Sequence, residues 1–191
     1  LEFALATGEH SMVQVLLSAD DYRVNPDEYG RLFTTALKDR RSDVLDLLFE
    51  HGVDPRAVDL ETVFSAPSEG WFERFYTLGV DFCQEDALAK YLGQTGNKSL
   101  LGWLKKKAPE DPRLQEQLDR GMQESSGYGG SERRAALCLW AGADPRANTP
   151  EYGSPEDGYH EYECKNSLEL AVYSDYVGVV RAIGPDPDQD H

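Results

Sequence analysis

The chain has 191 residues with 35 acidic and 19 basic side chains, a formal charge of −16 at pH 7. That length suits one domain or one short repeat array. The charge argues against a nucleic-acid binder, because phosphate recognition starts from a basic patch, and against an anionic membrane surface. At 40% hydrophobic and 10% aromatic, the chain has enough apolar material for a core. Three cysteines, Cys83, Cys138 and Cys164, cannot all pair, and none forms a C-x-x-C. They read as reduced thiols, two of them buried in helices, which favours a cytoplasmic protein. No apolar run approaches the roughly 18 residues a membrane span needs, and no signal peptide opens the chain. Leu1 already lies inside an apolar-periodic stretch, so a preceding N-terminal piece is expected.

From the N-terminus onward, six short helices share apolar offsets 0, 1, 3 and 4, two of them with an arginine in the pattern, at Arg74 and Arg134. They begin at Met12, Val44, Trp71, Leu100, Arg134 and Val179, spaced 32, 27, 29, 34 and 45 residues apart. Apolar neighbours at i and i+1 fit a 3.6-residue period and exclude a strand alternating every second residue. A first helix precedes each: Leu1–Thr7, Leu32–Lys38, Leu60–Ala66, Asp86–Gln94, Pro112–Glu124 and Ser167–Ser174. Turn formers separate the members of a pair at Gly8, Pro67-Ser68, Gly96-Asn97 and Gly127 to Gly130. His10, just after Gly8, falls in such a turn on this reading. Gly52, Gly79 and Gly142 follow second helices, where a left-handed cap is needed. The segments Gly52-Val-Asp-Pro-Arg-Ala57 and Gly142-Ala-Asp-Pro-Arg-Ala147 are near copies, 90 residues apart. Each Asp-Pro begins a tight turn, and Arg56 and Arg146 should tether it to nearby carboxylates. Trp71 and Trp103 read as core and Trp140 as partly exposed. His51 sits at a helix C-terminus, and Lys105 to Lys107 close a helix where cations complement the dipole.

These residues resemble the ankyrin repeat family, whose units of about 33 residues open on T-P-L-H-x-A and close on a G-A-D turn. Asn166-Ser-Leu-Glu-Leu-Ala171 is similar to the opening and Gly142-Ala-Asp144 to the close. Ala4, Ala36 and Ala171 stand where the family keeps a small residue. The likeness covers nearly the whole chain as about six units, although no unit has an intact T-P-L-H. It implies an all-α fold, an α-solenoid of stacked helix-turn-helix units joined by hairpin loops, as one array over 1–184. Residues 185–191 are expected to form an acidic, disordered tail. The resemblance also implies a protein-binding module without chemistry of its own, working through hairpin tips and a concave face.

The largest departure from the repeat is an insertion over 148–165 with three tyrosines and five acids. Insertions in repeat arrays map to one face, often the binding face, and tyrosine supplies contact area at low entropic cost. The expected partner-binding residues are therefore Tyr152, Tyr159, His160, Tyr162, Glu163 and Lys165 in and around the insertion. Asp27 and Glu28 at a tip, Lys38 and Asp39 at a helix end, and Tyr173 in the last unit join them. The charge favours a protein partner with a basic surface, in the manner of an inhibitor or immunity protein, bound by a monomer. Alternatives are a metal-binding or catalytic protein built on His160 and Cys164, and a structural spacer within a longer chain. No enzyme motif is present, and His160 and Cys164 lack the second ligand pair a zinc site needs, so neither catalysis, a metal nor a cofactor is expected.

Overall fold

The computed structural model describes residues 4, 7, 9–19, 25–127, 129–147 and 166–184. Over those residues the protein is all-helical: eleven α-helices, four short 3₁₀ turns and no strand. None of these helices is long and apolar enough to cross a membrane. The chain divides into two compact units, 1–82 and 83–191.

The first unit contains α1 (His10–Ser18), α2 (Tyr29–Lys38), α3 (Ser42–Glu50), α4 (Leu60–Phe64) and α5 (Glu69–Thr77). Helix α2 buries Leu32, Phe33, Ala36 and Leu37, and α3 buries Val44, Leu45, Leu47 and Leu48, one stripe each. In α1 the buried positions are Val13 and Leu17, whereas Met12 and Val15 are exposed. The apolar offsets at positions 12 to 16 thus overstate that helix's buried face. His10 is the first residue of α1, a correction to its expected place in a turn.

Phe33, Phe49 and Phe75 from three helices form an aromatic triangle with centroid separations of 5.2, 5.7 and 5.4 Å. Two of its three contacts are edge-on, the arrangement favoured by the ring quadrupoles. Phe64 meets Phe82 edge-on at 5.3 Å. A Cβ on Gly30 would lie 2.4 Å from the carbonyl oxygen of Ala57, so the start of α2 rests on the turn before α4, backbone against backbone.

The second unit contains α6 (Ala87–Gln94), α7 (Lys98–Lys107), α8 (Pro112–Ser126), α9 (Glu132–Ala141), α10 (Ser167–Tyr173) and α11 (Val177–Ile183). The long helix α8 is central, packing on α6, α9 and α10. Its approach to α6 is close because a Cβ on Gly121 would meet Leu92 Cβ at 2.7 Å and one on Gly93 would meet Glu124 Cβ at 2.6 Å. Trp103 is buried at 2% exposure and Trp140 is half exposed at 50%, as expected. Trp71, expected in the core, is only partly covered. Of the two thiols expected to be buried in helices, Cys138 is buried in α9, whereas Cys83 is half-buried outside any α-helix. Cys164 lies outside the described residues.

Two turns recur with the same hydrogen bond. After a first helix, the carbonyl of an alanine accepts from the N–H five residues on. The pairs are Glu9 to Ala4 at 2.9 Å, Arg41 to Ala36 at 2.9 Å and Tyr176 to Ala171 at 2.8 Å. All three alanines are at most 1% exposed. After a second helix the same closure joins Val53 to Leu48, Val80 to Phe75 and Ala143 to Cys138, at 3.0 to 3.1 Å. Gly52, Gly79 and Gly142 occupy these second turns with φ of 70°, 84° and 103°. That backbone is strained for any side chain but free for glycine. Arg40 and Asp175 take the left-handed position in the first type of turn, with φ of 55° and 57°.

Candidate functional site

The segments between helix pairs are built on one local device, an Asx-Pro turn. The side chains of Asn25, Asp54, Asp111 and Asp144 each precede a proline and accept the N–H two residues on. The distances are 3.2, 3.0, 2.9 and 2.9 Å. Proline fixes φ while the short carboxylate or amide folds back on the chain, so the turn needs no tertiary help. In the second copy the Arg56 guanidinium also binds its own Asp54, through Nε at 3.0 Å and Nη2 at 2.9 Å. The Arg56 side-chain hydrogen bond, followed by that from its N–H, holds the Asp54 carboxyl below its ordinary range. The expected tether is therefore present at Arg56. A third Asp-Pro-Arg, at 111–113, opens α8 and escaped the repeat comparison because no glycine-led turn precedes it.

The expected binding residues fall in three places. Asp27 is exposed and Glu28 half-buried in the turn Pro26–Glu28 at the start of α2, whereas Lys38 and Asp39 are exposed at its other end. A ten-residue helix separates the two pairs by about 15 Å. Together they line one helix and do not converge on one spot. Tyr173 is 65% exposed at the end of α10, beside exposed Val172. Tyr152, Tyr159, His160, Tyr162, Glu163 and Lys165 lie outside the described residues.

In the first unit, Asp46 and Phe49 on α3 face Trp71, Arg74 and Phe75 on α5 across a shallow recess. The Arg74 guanidinium pairs with Asp46 and lies 4.3 Å from the centroid of the Phe49 ring. At about 20 Å³ the recess has room for roughly one water, far short of a small-molecule pocket. Arg74 falls on an apolar offset in the sequence pattern; stacking on a ring is what makes a cation acceptable there.

In the second unit a polar seam runs between α6 and α8. Gln117, only 4% exposed, donates from Nε2 to Asp86 Oδ1 at 2.9 Å and accepts from Ala89 N–H at 3.2 Å. Arg120 Nη1 donates to the same Asp86 oxygen. Gln117 thereby caps a neighbouring helix, filling a role that Asp86 itself does not take. Glu85 and Asp86 both hold left-handed φ, 50° and 59°, a conformation that costs a non-glycine residue about 1–3 kcal/mol and persists only when its surroundings fix it. Asp119 Oδ1 accepts from Asp144 N–H at 2.7 Å and from Gln115 Nε2 at 2.8 Å, tying α8 to the turn after α9. Burial raises the Asp119 carboxyl above its ordinary range, against the two hydrogen bonds. Glu124 is raised by burial too, opposed by Arg120 and Lys90. A one-dimensional repeat signal carries no trace of these side chains, which meet across 25 to 34 residues.

Burial pushes the Cys138 thiol up to about 12, with a Ser125 hydrogen bond and the Arg134 charge opposing. Because the thiolate is the reactive form, Cys138 should resist iodoacetamide in the folded protein at pH 8 and label fully in denaturant. Peptide mass mapping reads both; native labelling would mean that α9 opens readily.

Among the described residues, no three His, Cys, Asp or Glu side chains gather as a metal site. His160 and Cys164 are not among those residues. No family model matches the chain, and neither a curated protein nor a solved structure matches it.

Proposed function

We propose that this chain is a divergent ankyrin-type repeat array and works as a non-catalytic protein-binding module. The observation that carries the reading is the pair of recurring turns: one closes on a buried alanine after first helices, the other on a left-handed glycine after second helices. The alanine closure follows three first helices and the glycine turn three second helices, and the pair α2 and α3 carries both. A helix pair cannot bury its apolar faces alone, so neighbours must stack. The Asx-Pro turns at Asn25, Asp54, Asp111 and Asp144 then hold stiff tips between units, and rigid tips lose little entropy on binding. The exposed Asp27 and Asp39 and the five acids of the insertion suit a partner with a basic surface.

The test compares the 191-residue chain with one lacking 149–164. Both are immobilised and challenged with extract from the source cells at low and high salt, and retained proteins are identified by mass spectrometry. The expected result is a basic protein held by the full chain at low salt and lost from the deletion variant, with unchanged melting temperature. Equal capture by both chains would move the site to the tips at 25–28 and 38–39. Absence of any retained partner would sink the reading.

A further inference from the structure

The −16 is unevenly placed. Helices α7, α9 and α11 hold seven of the 19 basic residues and one of the 35 acids. These helices are neighbours: α9 packs on both α7 and α11. The corresponding helices of the first unit show no such bias. Helix α3 has three acids and no base, while α5 has two acids and one arginine.

Exposed positions on the three helices fall in stripes at helical spacing. Lys98 and Lys105 lie seven apart on α7, Arg133 and Trp140 seven apart on α9, and Val177 and Arg181 four apart on α11. Two contacts join the stripes. Lys105 Nζ sits 4.4 Å from the Trp140 ring centroid, and Gly178 N–H donates to Glu132 Oε1 at 2.6 Å. That bond engages the one carboxylate on these helices. The half-exposed indole of Trp140 is thus met by a cation from α7, with Arg133 two turns away on its own helix.

We infer that the exposed face of α7, α9 and α11 is a docking surface for an acidic, linear protein segment that carries an apolar side chain for Trp140. Charge complementarity sets the sign of the partner, and the indole supplies the apolar anchor that a purely electrostatic surface lacks. Three helix axes at about 8–10 Å spacing span roughly 20 Å, which an extended segment crosses in about six residues. An anionic membrane fits less well. A lipid plane would press on more than this one face and meet the carboxylates of a chain at −16, whereas a segment engages the stripe alone, within a Debye length of about 8 Å. The residues of this surface are other than those named for the tips and the insertion, and its failure would leave that reading standing.

The experiment titrates a fluorescein-labelled peptide alternating glutamate and leucine into the 191-residue chain, read by anisotropy. Saturable binding is expected, weakening roughly tenfold between about 50 and 200 mM salt. The triple reversal Lys105→Glu, Arg133→Glu, Arg181→Glu should weaken it at least tenfold, and Trp140→Ala several-fold. The milder Lys105→Gln, Arg133→Gln pair should give an intermediate loss, so the inference survives a reversal that misfolds. Arg31→Glu, on α2, should change nothing. Unaltered peptide affinity in the Lys105, Arg133 and Arg181 variants would overturn the inference, as would no binding at all. Preferential binding to phosphatidylserine vesicles would reassign the face to membranes. Self-association abolished by the same substitutions would reassign it to a second copy of the chain.

Discussion

Replacing Phe75 by alanine is expected to destabilise the first unit by about 3–5 kcal/mol. Its ring is fully buried and meets Phe33 and Phe49 edge-on at 5.7 and 5.4 Å. Removing it deletes two of the triangle's three contacts and opens a cavity that three separate helices would have to move to close. The turn after α5 stays intact in the variant, because Val80 N–H binds the backbone carbonyl of residue 75 and not its side chain. The substitution therefore reports packing alone. Hydrogen exchange is the fitting measurement, since two compact units need not unfold together. Amides of α2, α3 and α5 should lose protection while those of α8 and α9 keep theirs. A loss below about 1 kcal/mol would mean that the triangle collapses around the gap and contributes little. Phe49→Ala should cost less, because that ring is already partly exposed.

The second large effect concerns Asp119, where two substitutions should go in opposite directions. Asp119→Ala removes the acceptor of both Asp144 N–H and Gln115 Nε2 and should cost about 1–3 kcal/mol. Asp119→Asn keeps an acceptor oxygen while removing a charge that burial disfavours, with the neighbouring Asp144 and Glu116 carboxylates disfavouring it further. The sign of the pH dependence follows. The folded carboxyl titrates above its unfolded value near 3.9, so its contribution to stability is complete below that value and fades as pH rises through the folded one. Relative to wild type, the asparagine variant should accordingly gain stability as pH rises from about 4 toward neutrality. Urea titrations of the three chains at a series of pH values measure this. An asparagine variant whose deficit grows with pH would show that the ionised carboxylate is the preferred form.

Much of the helical order was legible because it is local. The spacing of Val44, Leu45, Leu47 and Leu48 announces a helix with one buried stripe, and that stripe is buried. The same rule overreached at α1, where Met12 and Val15 satisfy the pattern but face outward. A periodicity marks which residues share a face, not whether a neighbour covers it. The glycines after second helices were readable for a stronger reason, since few other residues tolerate a φ near 70° to 103°. Arg40 and Asp175 reach the same region without any sequence signal, held by the turn around them. The candidate site divides similarly. Asp27, Lys38, Asp39 and Tyr173 are exposed, but the concentration of bases on α7, α9 and α11 was invisible in a total of −16.

By itself, then, the sequence determined the helices and the Asx-Pro turns, because each depends on residues within about five positions. Tertiary structure alone decided the partners that lie further apart. Gln117 caps α6 from another helix, Asp119 holds the turn at Asp144, and Arg74 is accommodated on the Phe49 ring beside Asp46. Lys105 is brought onto Trp140 in the same way. These pairings need two helices to be in contact first, and the free energy that brings them together comes from apolar burial, which fixes which faces meet before any polar group can find its partner.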